Sequence, residues 1–236
     1  MEIKSKDYIY INGVSSDSVG LYIDTPPVPP IALRRGSSYN TGGEADSFSL
    51  ENGYDDITVK IKAFVFYAED FDNSELNSYL NGAKTLQTSR NTKFYYKVKR
   101  ITSVSASIMS DGEKIKYEIS FLCYPFKYYV DNPEIPISNG AIIENTGKLF
   151  SRPVFRFTVT GPLQLTVNGS RFDIENNEVD REIVIDSETG RMMAYSGNVM
   201  LRTSGYFPLL AVGQNKISWS AYSTKSASVI VNARCY

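Results

Sequence analysis

A two-residue alternation of apolar and polar side chains runs through residues 114–123, KIKYEISFLC. Alternate side chains of a β-strand point to opposite faces of its sheet, so this period predicts a strand with one buried face. Residues 94–109, rich in Tyr, Val, Ile and Thr, precede it across the turn SDGE at 110–113. The two segments predict a long hairpin that lies against a core. The side chains predicted to face that core are Ile115, Tyr117, Ile119, Phe121 and Cys123.

Further strands and one helix surround this hairpin. Residues 8–13 and 18–24 are spaced as an opening hairpin with an Asn-Gly turn, and 56–66 alternates again. A helix is predicted near 74–84, where Asn73 or Ser74 can cap its first turn. The apolar residues at helical spacing in that segment are Leu76, Tyr79, Leu80 and Ala83.

A change of pattern near residue 130 divides the chain. Pro125 has no N–H for a central ladder, so we expect the N-terminal sheet to end there. Residues 131–152, with their prolines, are interpreted as a linker before strands resume at Pro153. Turn signals about every 8–12 residues then predict a β-sandwich. The chain is therefore predicted to be mainly β, with domains at 1–130 and 131–236. The residues predicted to line the seam between them are Cys123, Pro125, Phe126, Tyr128 and Tyr129.

The segment 24–56 departs from the strand pattern. It opens with four prolines in five residues and continues with Gly, Ser, Thr and Asn. A stretch this long without regular structure is uncommon inside a compact domain, yet its apolar residues do not suit a solvated linker. Two interpretations stay open: a mobile loop, or an arm that packs on another subunit. In the second, the predicted subunit-interface residues are Leu33, Arg34, Arg35, Tyr39, Phe48 and Tyr54.

Composition excludes several kinds of chemistry. The chain has no histidine, which removes Ser-His-Asp catalysis and His-ligated metals. Its two cysteines, Cys123 and Cys235, are too few for a sulfur-ligated zinc site, and we expect buried thiols, with a disulfide as the alternative. The 25 Lys and Arg residues nearly balance 26 Asp and Glu, so binding along a phosphate backbone is not expected. No signal peptide and no transmembrane helix are expected.

Catalytic patterns are weak. The acidic pairs Asp55-Asp56, Glu69-Asp70 and Asp186/Glu188 are typical of solvated or capping carboxylates, because nothing beside them would separate their pKa values. Arg34-Arg35-Gly36 is a lone basic pair, and no phosphate-binding or nucleophile motif is present. We therefore expect no enzyme, no metal and no cofactor.

A sugar-binding module is the better alternative. A Tyr-rich sandwich could stack a sugar on Trp219. The alternation in KISWS instead places Trp219 on the same face as Ile217, which is typical of a core position. Both interpretations of Trp219 stay open on the sequence alone.

The segment from Lys93 to Tyr129, with its run Phe121, Cys123, Pro125, Phe126 and Tyr128, resembles the distal tail proteins of siphophages that infect Gram-positive bacteria. YIYINGVSSDSVGLYID is similar to that family's opening hairpin. YDDITVKIKAFVF is similar to the strand before its helix. GYFPLLAVGQNKISW with SVIVNARCY is similar to its closing strands. The order of these motifs covers nearly the whole chain, although 24–47 is unusually rich in proline.

The resemblance implies a structural hub subunit at the phage tail tip, made in the bacterial host cytoplasm and carried in the virion. The N-terminal domain would form a hexameric ring that joins the tail tube protein to the tail-lysin or fibre hub protein. DNA would pass through its lumen. The C-terminal domain would be a galectin-like β-sandwich, which in some relatives holds receptor-binding proteins. The alternatives are a stand-alone binder of host-wall glycans and, with little support, an enzyme acting on such glycans.

Overall fold

The computed structural model describes residues 7–40, 47–66, 73–109, 112–188 and 192–236. The chain divides into two compact units, Met1–Val130 together with Tyr236, and Asp131–Cys235. Both units are built of antiparallel strands, and the predicted mainly β fold is confirmed.

The first unit contains nine strands and one α-helix within the described residues. The strands are β1 (Ile9–Ile11), β2 (Val14–Ser15), β3 (Tyr22–Thr25), β4 (Arg34–Asn40), β5 (Ser47–Tyr54), β6 (Ile57–Phe66), β7 (Thr85–Thr88), β8 (Asn91–Ile108) and β9 (Lys114–Tyr129), and the helix is α1 (Ser74–Asn81). Sheet 1 has the strand order β2-β1-β7-β8-β9-β6-β3, and β4 and β5 form a separate two-stranded ribbon.

The predicted long hairpin and its buried face are confirmed. β8 and β9 are paired antiparallel, and β6 lies on the other side of β9, from Ile57 opposite Cys123 to Phe66 opposite Lys114. Directly opposed residues share a face of the sheet, so the apolar alternations of β6 and β9 fall on one side and form the core. All five side chains of β9 predicted to point inward are buried there.

Helix α1 covers part of this core. Leu76 and Leu80, one turn apart, are its buried residues. Tyr79 packs beside them and donates a hydrogen bond to the Val14 carbonyl, 3.1 Å away. The helix ends at Asn81, earlier than the predicted 84; Gly82 follows as its C-cap, and the Ala83 N–H donates to the Leu80 carbonyl at 3.1 Å.

The predicted opening hairpin is wrong in its pairing. β1 pairs with β2 and with β7, whereas β3 pairs with β6 at the opposite edge of sheet 1. A 3-10 turn at Ser16–Val19 and Gly20, at φ +70°, redirect the chain between the two edges. Tyr22 then stacks on Phe64 with ring centroids 5.6 Å apart.

The expectation that sheet 1 ends at Pro125 is also wrong, because β9 continues four residues past it. From Tyr96 to Val98, β8 advances two residues while β9 advances four, from Cys123 to Lys127. Pro125 lies inside this β-bulge, where a missing N–H removes no regular ladder bond.

The second unit is a β-sandwich of two sheets. Its strands are β10 (Glu134–Pro136), β11 (Ile142–Asn145), β12 (Val154–Thr160), β13 (Leu163–Val167), β14 (Ser170–Ile174), β15 (Arg181–Asp186), β16 (Met193–Ser196), β17 (Val199–Met200), β18 (Thr203–Gly205), β19 (Gly213–Ser220) and β20 (Ser223–Ile230), followed by β21 (Arg234–Cys235). Sheet 2 has the order β10-β20-β12-β15-β16-β17, and sheet 3 has the order β11-β19-β13-β14-β18.

Alternate residues of both sheets fill the sandwich core. Phe155 and Phe157 of β12 are buried, as are Leu165 of β13 and Ile217 of β19. Residues Asn168 and Gly169, both at positive φ, make the predicted two-residue turn between β13 and β14.

The predicted linker 131–152 belongs to the sandwich itself. Within it, β10 pairs with β20, and β11 pairs with β19. Pro136 fits in β10 because β10 is an edge strand of sheet 2; β11 is likewise an edge strand, of sheet 3. Short edge strands lack the long alternation that marks β6 and β9, so the sequence did not reveal them.

In the part of the chain described here, no helix has the length and apolar character needed to cross a membrane.

Candidate functional site

The ribbon of β4 and β5 stands apart from sheet 1. Its strands are paired with each other from Arg34 opposite Tyr54 to Asn40 opposite Ser47, and among the described residues neither pairs with another strand. The interpretation of 24–56 as lacking regular structure is therefore wrong at these two strands. Their ladder uses backbone groups and needs no apolar alternation, so no periodic pattern marks these strands in the sequence. A two-stranded ribbon alone is marginally stable in water and gains stability from a partner surface.

Charged and aromatic side chains fix the base of this ribbon. Arg35 Nε lies 2.9 Å from Asp55 Oδ1, and the Asp55 N–H donates to the Leu33 carbonyl at 2.9 Å. Arg34 Nε donates to the Tyr54 hydroxyl at 3.2 Å. These contacts hold the two ends of the ribbon together, where β4 begins and β5 ends.

Three aromatic rings form a cluster at the same place. Tyr54 packs on Phe126 and Tyr236, with ring centroids 5.1 and 5.6 Å away, and its hydroxyl donates to the Tyr236 hydroxyl at 3.0 Å. The Phe126 and Tyr236 centroids are 6.3 Å apart. The cluster joins the ribbon to the end of β9 within the first unit.

The chain leading into the ribbon exposes large apolar side chains. Val28 is 88 % exposed, Ile31 85 % and Leu33 70 %. Neighbouring exposed apolar side chains mark interaction surfaces. Of the six predicted interface residues, the structure places Leu33, Arg34, Arg35 and Tyr54 at the ribbon base; Tyr39 and Phe48 are opposed in the backbone register of the ribbon. Residues 41–46 lie outside the described residues. Whether the six form a subunit interface stays a prediction.

A second exposed surface lies on β8 and was missed in the sequence. β7 pairs with β8 only as far as Lys97, and beyond Val98 the described residues pair with β8 on its β9 side alone. Val104 is 48 % and Ile108 64 % exposed, although they oppose the buried Ile119 and Ile115 of β9. We call the stretch 99–108 the open edge of β8. The sequence predicted residues 94–109 only as one strand of a hairpin that lies against a core.

Of the predicted seam residues, Phe126 belongs to the aromatic cluster at the ribbon base, Tyr128 and Tyr129 pack on β8, and Cys123 lies in the core of the first unit. Tyr128 is buried and stacks on Tyr95, with centroids 5.6 Å apart, and Tyr129 packs on Phe94 at 4.7 Å. Cys123 is fully buried, and this burial raises its thiol pKa to about 12, with Asp56 adding to the rise. A domain seam formed by these residues stays a prediction.

The acidic pairs are engaged in ordinary contacts. Asp56 Oδ2 lies 2.8 Å from Lys99 Nζ, and Asp186 accepts a hydrogen bond from the Glu188 N–H at 2.8 Å. Glu69 and Asp70 lie outside the described residues. Within the ranges that the structure describes, no group of three or more Cys, Asp or Glu side chains is arranged to hold a metal ion.

Trp219 is half-buried, not part of an open platform. Its ring packs edge-on against Phe157, with centroids 5.2 Å apart, and its Nε1–H donates to Thr224 Oγ1 at 3.0 Å. These contacts favour the core interpretation over sugar stacking. The two cysteines are buried thiols and are not joined to each other.

The fold of the chain, two compact units of antiparallel strands, can be compared with known proteins. No family model and no curated protein matches the sequence. The crystal structure of the SPP1 Dit protein, described as a paradigm of the hub adsorption apparatus in Gram-positive infecting phages, matches 94 % of this chain and 97 % of that chain. Its TM-score is 0.64, at 13 % sequence identity.

Two structures of the phage p2 baseplate in its activated conformation also match. The strontium form covers 94 % of this chain and 96 % of that chain, with a TM-score of 0.53 at 11 % identity. The calcium form covers 98 % and 97 %, with a TM-score of 0.54 at 10 % identity. The chain is therefore Dit-like in fold, as the resemblance predicted.

Proposed function

We propose that this chain is a non-enzymatic hub subunit of a phage or prophage tail tip, and that six copies close into a ring through the first unit. The observation that carries the proposal is the fold likeness over nearly the whole chain, combined with a ribbon that stands apart from its own sheet. A ring requires two different surfaces on each copy that fit each other head to tail.

The ribbon and the open edge of β8 are two such surfaces. The ribbon base and the chain leading into it expose Leu33 and Ile31, and the open edge offers Val104 and Ile108 beside backbone groups that pair with no second strand among the described residues. Exposed strand edges pair readily with another chain, and apolar surface covered by a neighbour stabilises the contact. We propose that the ribbon of one copy covers the open edge of the next.

The remaining assignments follow from the ring. The ring would join the tail tube protein to the tail-lysin or fibre hub protein, and receptor-binding proteins would attach to the second unit. Genomic DNA would pass through the lumen without tight binding, in keeping with a net charge of −1. The protein would act in the virion after synthesis in the bacterial cytoplasm.

Native mass spectrometry and electron microscopy of the purified protein test the proposal. We expect a hexamer or a double hexamer, visible as rings. The variant Ile31→Asp/Leu33→Asp is expected to shift the population to monomers, whereas Val179→Asp, at an exposed apolar position of the second unit, is the matched control. A wild-type protein that stays monomeric at high concentration contradicts the ring and favours the stand-alone glycan binder.

A further inference from the structure

A cavity of about 540 Å³ opens on sheet 3 of the second unit. This volume is within the usual range for small-molecule sites. Strands β13, β14 and β18 and the turn from β19 to β20 surround it. Its lining residues are Pro162, Leu163, Gln164, Arg171, Asp173, Ile174, Glu175, Asn177, Thr203, Ser204, Ser220, Ala221 and Tyr222.

The strand register builds a polar row across the floor of this cavity. Gln164 lies opposite both Ser220 of β19 and Asp173 of β14, and Asp173 lies opposite Ser204 of β18. Directly opposed residues share a face, so these four side chains line up across four strands on the outer face of sheet 3. Neighbouring positions of β13 and β14 point inward and are buried in the core.

Arg171 and Asp173 pair with each other in the cavity, and a second carboxylate leaves its lining net negative. Arg171 Nε lies 2.7 and 2.8 Å from the two carboxylate oxygens of Asp173. Gln164 turns its amide oxygen toward the same guanidinium, 2.6 Å from Arg171 Nη2. Glu175 adds a further carboxylate to the lining. An anionic ligand would have to compete with Asp173 and face Glu175, so the lining suits a neutral ligand that exchanges many hydrogen bonds.

The aromatic ring of Tyr222 lines the cavity and packs against the turn at Gly161, although it is 82 % exposed. It packs on Gly161, where an added Cβ would lie only 2.3 Å from a ring carbon. The Tyr222 N–H donates to the Thr160 carbonyl at 3.1 Å. The nearly fully buried Asn176 donates to the Gly161 carbonyl at 3.0 Å. One face of the ring is thus held by the turn, and a side chain ordered before binding loses little entropy when a ligand arrives.

We infer that this cavity binds a neutral saccharide. A sugar ring presents an apolar C–H face that suits an aromatic ring, and hydroxyl groups that exchange hydrogen bonds with amides, carboxylates and serine hydroxyls. The Tyr222 ring supplies the first kind of contact, and the row through Gln164 and Asp173 supplies the second. The inference goes beyond the hub role, because the second unit carries this site whether or not the first unit forms a ring.

Saturation-transfer NMR with the full chain tests the inference. The probes are glucose, galactose, rhamnose, N-acetylglucosamine and their disaccharides, at about 10 mM because single sugar sites bind weakly. We expect at least one probe to bind. Tyr222→Ala and Asp173→Ala are expected to weaken that binding at least about tenfold, since each removes one of the two kinds of contact.

Tyr206→Ala is the matched control, since Tyr206 is 84 % exposed in the same unit but does not line the cavity. Thermal unfolding of each variant verifies that the second unit remains folded. Sedimentation with purified cell walls, with and without an excess of the bound sugar, distinguishes a wall polysaccharide from a free sugar as the source. The inference is overturned if no probe binds, if Tyr222→Ala binds as well as the wild type, or if Tyr206→Ala loses binding equally.

Discussion

The hydroxyl oxygens of Tyr54 and Tyr236 lie 3.0 Å apart, although 182 positions separate the two residues in the chain. Tyr54 is the last residue of β5, and Tyr236 belongs to the first unit although the residues before it belong to the second. The base of the ribbon is therefore held by residues from three distant parts of the chain, Tyr54, Phe126 and Tyr236.

Replacing Tyr54 by Phe is expected to loosen the base of the ribbon while leaving the global fold unchanged. The change removes the hydrogen bonds to Tyr236 and Arg34, which are worth about 1 kcal/mol in total at a surface. Hydrogen exchange of the Asp55 amide, which is bonded to the Leu33 carbonyl, should become roughly fivefold faster. Tyr124→Phe, on β9 but outside the cluster, is the control. Equal exchange rates in the two variants would contradict the role of the cluster.

Deletion of residues 36–47 is expected to weaken ring assembly and leave both units folded. The deleted span includes most of β4 and residues 41–46, which lie outside the described residues. Thermal unfolding should keep its midpoint, because the ribbon pairs with neither sheet 1 nor the sandwich strands in the described residues. Native mass spectrometry measures the assembly. Rings of unchanged stability would show that the ribbon is not a subunit contact.

Val104→Lys is expected to disrupt assembly with little cost to the isolated subunit. Val104 is about half exposed, and surface substitutions usually change the free energy of unfolding by less than about 0.5 kcal/mol. Ser105→Lys is the control, because its side chain points to the opposite face, where it meets Glu118 of β9. Analytical ultracentrifugation compares the two. The open edge is not a contact if both variants assemble like the wild type.

Cys123 is expected to resist alkylation in the folded protein. Burial raises its pKa to about 12, so at pH 8 only about one thiol in ten thousand is the reactive thiolate, and access is blocked as well. Because the folded-state pKa is raised, reactivity should increase only at strongly alkaline pH or on unfolding. Iodoacetamide labelling followed by peptide mass spectrometry separates Cys123 from Cys235. Rapid labelling of Cys123 at neutral pH would contradict its placement in the core.

Gly161→Ala is expected to destabilise the second unit more than Gly169→Ala. Both glycines have positive φ, +77° and +85°, so both substitutions introduce a similar backbone strain of about 1 kcal/mol. Only the Cβ at residue 161 would collide with Tyr222, whereas the one at residue 169 meets no atom within 4 Å. Chemical denaturation measures the difference. Adding Tyr222→Ala to Gly161→Ala should restore the part of the free energy of unfolding that the collision with the Tyr222 ring removes.

The sequence predicted the parts of the fold that rest on long alternation. The inward side chains of β9 and the face of β6 follow from a period of two, because a strand buried on one face requires it. The prediction that sheet 1 ends at Pro125 was wrong because it rested on the local sequence pattern alone. A proline forbids a regular ladder bond, but the local pattern does not show that two extra residues of β9 form a bulge around it.

The surfaces were harder to predict than the core. The ribbon itself was not predicted; the residues predicted for a subunit interface of an arm include Tyr54 and Arg35, which lie at the ribbon base, and that interface stays a prediction. The polar row of Gln164 and Asp173 was missed, because it exists only once the register of four strands is known. Tyr222 was passed over as one tyrosine among 17, because its packing against Gly161 is visible only in the structure.

The open edge of β8 also bears on how the protein must be handled. An edge that accepts a neighbouring strand accepts an incorrect one equally well, and a head-to-tail contact that misses closure by a few degrees grows into a filament. Slow refolding at low protein concentration should favour closed rings. Refolding at high protein concentration should give a fibrous precipitate, in which the same backbone pairing continues from copy to copy without closing.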